Sequence, residues 1–584
     1  MTTRFFAGAA LALASVAANC AEIKPYVEPA DTATVDKSGW TQISAPLTFS
    51  WASKDIAYRQ LASPPRINLS DTTVSAWRGE RIGLEALIIA NTPAEGLRLR
   101  MSELRDSRGK KVASAQASAS FMRYVIVTAH NACGYPDPNL PTYTLPDMID
   151  LPEASVDMQA QTVRPVWCSV EIPRDIKPGP YTATIELLPS SGKKPLATLS
   201  LSINVSDRTL PAPADYAFYL DLWQQPYAIS RYYGVEPWSN EHLRLLEPYA
   251  KMLARAGQKT ISTILFYEPW GEQSNDKFEP MVETIRKADG SWKYDYTIFD
   301  RYVDFMAKNG VDANIECFTM VPWEMKFRYL DEVTGEYRFL DAPSDSPEYA
   351  DLWTSFLHAF TKHLKEKGWF EKTLIVMDER GLPQMLDARR VAKNAVPDIK
   401  MSLAGSYHPE LVDSLESYTL IKGDFFPDDV MKRRREKGYT TLMYTCCATP
   451  APSQFANSAP ADGAYLPVYA TATGHDGYLH WSFTNWTDDP LTDTRFHMFA
   501  PGDTYFVYPD RRSSIRYERM LEGIQLSEKI RLLREEFEKS GNYEALLMLE
   551  EALRPIRSGA MNQWYSTGRV VNDLTRAIEA ISAR

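Results

Sequence analysis

The apolar run at residues 374–381, "LIVMDERG", ends in two neighbouring acids, Asp378 and Glu379, followed by Arg380. A hydrophobic run of this length reads as a buried strand. Adjacent carboxylates at its exit repel each other and lose hydration, and both effects raise the proton affinity of one of them. That is what a general acid working near neutral pH requires. Ordinary glycosidases set two carboxyls about 5–5.5 Å or 6.5–9.5 Å apart across the anomeric carbon. Neighbouring residues have Cα atoms about 3.8 Å apart and diverging side chains, so this pair suits two tasks on one side of a scissile bond. A 2-acetamido sugar offers such tasks, because its own carbonyl oxygen can attack the anomeric carbon. One carboxylate then orients the acetamide and stabilises its N–H. The other protonates the leaving oxygen and later deprotonates water. The plainer alternative is a surface pair with one acid bound to Arg380.

The elements that must position this pair can be read around it. From residue 212 onward, strand-like runs alternate with amphipathic helical patterns, the signature of a parallel α/β fold. The strand candidates are "YAFYLDLW", "KTISTILFY", "ANIECFTM", "TLIVMDE", "IKMSLAGS", "YTLIKG", "TTLMYTCC" and "GYLHWSFTNW". That count predicts a (β/α)8 TIM-like barrel over 212–512, whose active site lies at the C-terminal ends of the strands. Asp378 and Glu379 end the fourth. The seventh, where one clan of barrel glycosidases keeps its nucleophile, offers no carboxylate.

Before the barrel, residues 22–211 hold short β-rich runs broken by Pro, Gly, Asn and Ser, predicting an immunoglobulin-like β-sandwich. The Pro-rich "DRTLPAPADY" (207–216) is the linker. From 513 to 584 the pattern is helical, a tail expected to pack on the barrel. Residues 1–20 read as a secretory signal, with one Arg before a short apolar stretch ending in small residues. Cys20 raises a lipid anchor, although Asn19 stands where a lipobox takes Gly, Ala or Ser.

Residues near the strand ends are candidate sugar contacts: Asp221, Trp223, Tyr267, Trp270, Trp323, Arg380, His408, Tyr444, Trp481, Asn485 and Trp486. Taken singly, each aromatic reads as core or rim; as a ring around one mouth they form a sugar platform. Glu268, Glu316 and Glu324 are rival carboxylates for a conventional two-acid mechanism. His475 and His480 show no metal-binding spacing and read as structural.

The net charge of −11 and pI near 5.4 argue against nucleic acid as a partner. The one basic run, "MKRRREKG" (431–438), reads as a solvated helix face. No CxxC pairing suggests zinc, and no metal or cofactor is expected. Cys133 and Cys168 fall in one domain and could pair, while Cys446 and Cys447 read either as free thiols or as a vicinal disulfide.

The segments at 219–239, 374–381, 443–450 and 477–493 ("YLDLWQQPYAISRYYGVEPWS", "LIVMDERG", "MYTCCATP", "GYLHWSFTNWTDDPLTD"), with "GDTYFVYPD" and "SIRYERMLEGI" after them, resemble glycoside hydrolase family 123. The resemblance implies a sandwich before a (β/α)8 catalytic domain and β-N-acetylgalactosaminidase activity. Asp378 would polarise the acetamide, and Glu379 would be the acid/base. An exported, retaining, exo-acting enzyme on glycans or glycoconjugates is the expectation, with the membrane involved only through Cys20. The alternatives are a non-catalytic glycan-binding lipoprotein and a conventional two-carboxylate glycosidase.

Overall fold

The computed structural model describes residues 25–559, 561 and 566–582. The expected signal and Cys20 lie outside the described residues. The N-terminal region is a two-sheet sandwich. One sheet orders Leu47–Ala52, Arg81–Ala90, Thr162–Glu171, Gln116–Thr128 and Thr142–Ile149; the other centres on Ala197–Thr209 and Gly179–Leu188. Period-2 alternation builds its core. Tyr181, Ala183, Ile185 and Leu187 point inward along one strand, as do Leu199, Leu201, Ile203 and Val205 along its partner.

The second body is a parallel eight-stranded barrel. Its strands, in chain order, are Tyr219–Leu222, Thr260–Ile264, Asn314–Phe318, Thr373–Met377, Lys400–Ala404, Ser417–Ile421, Thr440–Tyr444 and Gly477–His480. Each lies inside its predicted run except the sixth, which starts one residue earlier. Strand pairing is continuous from the second strand round to the first, but the first and second barely pair. Lys259 N–H donates to Leu220 O at 2.9 Å, and two side-chain amides take over beyond it. Gln258 accepts from Leu222 N–H at 2.9 Å and donates to Leu222 O at 3.1 Å; Gln224 accepts from Ser262 N–H at 2.8 Å. Buried backbone groups that lack a ladder partner are thereby satisfied.

Helices α1 (Pro226–Tyr233), α2 (Asn240–Ala256), α3 (Thr297–Lys308), α4 (Pro347–Lys367), α5 (Leu382–Ala395), α6 (Asp428–Glu436), α7 (Asp462–Ala472) and α8 (Ile515–Ser540) surround the strands. The hydroxyls of Ser239, Ser346 and Ser514 cap α2, α4 and α8, and Gly257, Gly368 and Gly541 end them in the left-handed conformation.

Four features depart from the sequence reading. First, α8 was expected in a tail from 513, yet it follows the eighth strand and packs on α7, in the position of the barrel's eighth helix. Second, no helix joins the fifth and sixth strands. The loop carbonyls there need donors, and Arg434 of α6 supplies them, bonding Val412 O at 2.8 Å and Leu415 O at 2.9 Å. One member of the supposedly solvated basic run is therefore fully buried. Third, a small sheet of Glu283–Arg286, Trp292–Asp295, Lys326–Asp331 and Glu336–Asp341 is built from the loops after the second and third strands.

Fourth, Cys133 bonds neither Cys168 nor a domain neighbour. It forms a disulfide with Cys447, 314 residues away. Cys168 points into the sandwich core, whereas Cys133 sits in a hairpin loop that reaches the barrel. The pair at 446–447 is thus neither a vicinal disulfide nor two thiols, since only Cys446 is free. Beyond the barrel, α9 (Tyr543–Arg557) and α10 (Thr567–Ser582) close against α7 and α8.

Candidate active site

The fourth strand, "TLIVM", is buried along its whole length, and Asp378 continues its inward row two residues after Val376. Asp378 Oδ2 accepts the indole N–H of Trp270 at 2.6 Å. Trp270 is held by the stacked ring of Trp223 at 5.7 Å and by the edges of Phe318 and Phe278. Burial pushes the Asp378 carboxyl up to about 7; Trp270 opposes that shift and the Glu379 charge adds to it.

Glu379 stands one residue further out and reaches solvent at the barrel mouth. The surrounding protein still raises its proton affinity through partial burial. Its side chain lies over Gly405, just past the fifth strand, where an added Cβ would meet Glu379 Cγ at 3.2 Å. Sequence reading missed Gly405, because the contact joins two strand ends that only the barrel makes neighbours. The two acids thus occupy unlike surroundings, one enclosed with a fixed donor and one open.

Around them the predicted contacts divide. Arg380 donates to Trp323 O at 3.1 Å and lies 4.7 Å over the Trp323 ring, which is 45% exposed. Tyr267 is half-buried beneath the Arg328 guanidinium at 4.2 Å. Tyr444 ends the seventh strand, largely buried, and His408 is half-buried in the loop after the fifth. Trp481 is half-buried, with its indole N–H on Asp503 Oδ2 at 3.2 Å and its ring against Phe499 at 5.0 Å. These side chains can present surfaces to a sugar.

Two others cannot. Trp486 is fully buried between Tyr232 and Tyr249, with its N–H on Val507 O at 2.8 Å. Asn485 accepts from Asn275 N–H at 2.9 Å and donates to Gln273 O at 3.0 Å, so its amide is committed to bracing a loop. Asp221 and Trp223 also lie inside the barrel rather than on its rim.

Of the rival carboxylates, Glu324 is exposed beside Lys326, Glu268 is half-buried on the rim, and Glu316 is buried in the barrel below Phe318. Asp503, which sequence reading did not single out, is raised by burial to about 7. It is enclosed behind Trp481 and supports that ring. His480 Nε2–H donates to Asp503 O at 2.8 Å, and burial pushes the ring down to about 4, a structural role.

The geometry has relatives. The family model described as "Glycoside hydrolase 123, catalytic domain" matches residues 223–533, and the one described as its N-terminal domain matches residues 51–188. The chain belongs to glycoside hydrolase family 123. The catalytic match runs well into α8, in keeping with that helix completing the barrel. A family 123 glycoside hydrolase from Clostridium perfringens, whose structure was described for glycolipid glycan hydrolysis, is 24% identical. The likeness covers 92% of this chain and 99% of that one, with a TM-score of 0.81, and establishes the shared fold. A GH5 xyloglucanase of Bacteroides ovatus is far more remote, at 9% identity and a TM-score of 0.28 over 82% of this chain and 100% of its own. Among the curated proteins compared, none matches this chain. Family 123 membership makes the protein a glycoside hydrolase and sets aside the reading of a non-catalytic glycan binder.

Proposed function

We propose that this family 123 enzyme releases terminal β-linked N-acetylgalactosamine with retention of configuration, using the substrate's acetamide as nucleophile. The observation that carries the reading is the asymmetry of the acid pair. Asp378 is enclosed with one indole donor, while Glu379 is open at the mouth. The seventh strand ends in Tyr444, Thr445 and Cys446, with no carboxylate to attack from the opposite face.

In the resting enzyme, burial favours a proton on Asp378. An acetamide N–H arriving beside Trp270 gives the Asp378 carboxylate a second donor and stabilises its charge. The proton then resides on Glu379. Glu379 passes it to the leaving oxygen as the C1–O bond breaks, and the acetamide oxygen closes on C1 to form an oxazolinium whose N–H charge Asp378 balances. Glu379, now ionised, takes a proton from water as that water opens the ring at C1, which restores the acid. The galactose configuration rests on the family likeness, and exposed Trp323 and half-buried Trp481 are its proposed platforms.

Glu379→Gln tests the assignment. Turnover of a β-N-acetylgalactosaminide with a poor leaving group is expected to fall roughly 10²–10⁴-fold, while a thiazoline mimic of the intermediate still binds. Cleavage of the corresponding 2-hydroxy sugar at the rate of the acetamido sugar would exclude substrate assistance.

The enzyme is also proposed to act outside the cytoplasm. The leader-like residues 1–20 and the Cys133–Cys447 disulfide support an oxidising compartment. Fractionation with and without Cys20→Ala separates a soluble from a lipid-anchored form.

A further inference from the structure

The small sheet beside the mouth departs from the pattern of a sheet with one covered face. Its hairpin strands Lys326–Asp331 and Glu336–Asp341 pair Phe327 with Leu340, Arg328 with Phe339 and Leu330 with Tyr337. Alternate residues share a face. Phe327 and Leu340 turn inward, where Phe327 is buried against Phe266 and Leu340 packs on the core. The other face would ordinarily carry polar side chains. It carries Tyr337 and Phe339 instead, each more than half exposed, and two-residue spacing sets them about 7 Å apart along the strand.

Both rings are held in place. Arg328 lies between two aromatic faces, 4.2 Å over the Tyr267 ring and 4.4 Å over the Tyr337 ring, and its guanidinium pairs with Glu279. The Tyr337 hydroxyl donates to Glu283 Oε2 at 3.0 Å, and Tyr267 meets Phe339 edge-on at 6.0 Å. The row continues to the acid pair. Trp323 N–H donates to Pro269 O at 3.2 Å, two residues beyond Tyr267, and Arg380, next to Glu379, lies 4.7 Å over the Trp323 ring.

Contiguous exposed apolar surface marks an interaction site, and its charges and position say what it takes. Both cations on the open face of the hairpin are paired, Arg328 with Glu279 and Lys326 with Glu324. The exposed turn between the strands carries Glu332 and Glu336, which an anionic lipid surface would repel. Fixed flat rings without a free cation, leading away from the acid pair, match the faces of neutral sugars. We propose that Tyr337 and Phe339 bind the glycan beyond the scissile bond, a neutral oligosaccharide of two or more sugars stacked along the hairpin. This rests on the acid pair as the point of cleavage proposed above. Trp323 serves the terminal sugar, and the hairpin sets the preference for what that sugar is attached to.

Two substrates of the full-length enzyme test this: methyl β-N-acetylgalactosaminide, with no sugar beyond the scissile bond, and lactose carrying the same β-linked terminal sugar. Phe339→Ala and Tyr337→Ala are each expected to lower the preference for the lactose conjugate about two- to tenfold, mainly through its KM. Phe339→Trp keeps a ring and should keep the wild-type preference, which a merely structural role would not ensure. An unmoved preference in both alanine variants would overturn the proposal. Saturation-transfer NMR with lactose alone adds a readout free of turnover. The wild type is expected to transfer to lactose and the double alanine variant to lose at least half of that signal; no transfer to the wild type, or an equal signal in the variant, overturns the proposal. Should the wild type cleave neither substrate, the N-acetylgalactosamine reading fails, while the lactose signal still decides the hairpin. Phosphatidylcholine vesicles bound by the wild type and released by both alanine variants, with the lactose signal unmoved, would give the face to a lipid surface instead.

Discussion

At the residue scale, the site depends on how a carboxylate in a nearly dry position is kept usable. Asp378 has one fixed donor, the Trp270 indole, and that bond favours the ionised form. Removing it with Trp270→Phe leaves burial and the Glu379 charge unopposed, so the proton affinity of Asp378 rises further. The reacting form, with Asp378 ionised and the proton on Glu379, then becomes a smaller share of the singly protonated enzyme, and the alkaline limb of kcat/KM, where that proton is lost, moves to higher pH. A hydrogen bond to a charged group contributes about 1.5–3 kcal/mol, equivalent to roughly one to two pH units. The expected result is a loss of tenfold or more at pH 6, shrinking towards pH 8, with the midpoints read as properties of the coupled acids. An unmoved alkaline limb with a uniform fall in kcat would instead assign Trp270 a packing role.

Among the elements, the strand ends decide the geometry, and one glycine shows how tightly. Gly405 leaves room for Glu379, and a Cβ there would come within 3.2 Å of Glu379 Cγ. Gly405→Ala is expected to displace the acid by a few tenths of an ångström and lower kcat several-fold, because misplacement by about 1 Å costs about 10²-fold. KM and the thermal midpoint should change little, and an unchanged kcat would show that Glu379 has slack. This contact was not legible in the sequence, although the strands that make it were. Short continuous apolar runs such as "TLIVM" and "TTLMY" placed all eight barrel strands, and the carboxylates at 378–379 stood out because they end such a run. What escaped was whatever depends on partners far along the chain. Asn485 and Trp486 read like mouth residues by position, yet their neighbours Asn275, Tyr232 and Tyr249 draw them inside. The buried Arg434 looked like its solvated neighbours in "MKRRREKG" because nothing local reveals that the preceding connection, between the fifth and sixth strands, lacks a helix.

Over the whole molecule, the sandwich is joined to the barrel at two places. On one side α8 meets it through buried ion pairs. Arg516 grips both oxygens of Asp147 at 2.9 Å, and Arg512 and Arg123 converge on Asp150, whose proton affinity they lower despite its burial. Because the folded value of Asp150 is depressed, its contribution is present above the ordinary carboxylate range and is lost as pH falls through the lowered value. The Asp150 contribution is therefore lost only in acid below the ordinary carboxylate range. On the other side, the hairpin loop carrying Cys133 reaches the rim near the seventh and eighth strands. There Ile126 N–H meets Thr492 O at 2.7 Å and Gly134 N–H meets Met498 O at 2.9 Å, and the disulfide secures the loop to Cys447. A crosslink spanning 314 residues restricts the unfolded chain strongly, and removal of a native disulfide typically costs about 2–5 kcal/mol. The double variant Cys133→Ser/Cys447→Ser should therefore lose stability of that order in denaturant while keeping its fold, since the hydrogen bonds and the α8 seam remain. Reductant should destabilise the wild type to the same level and leave the variant unchanged. Equal unfolding midpoints for oxidised wild type and variant would mean that the hairpin is held without its covalent link.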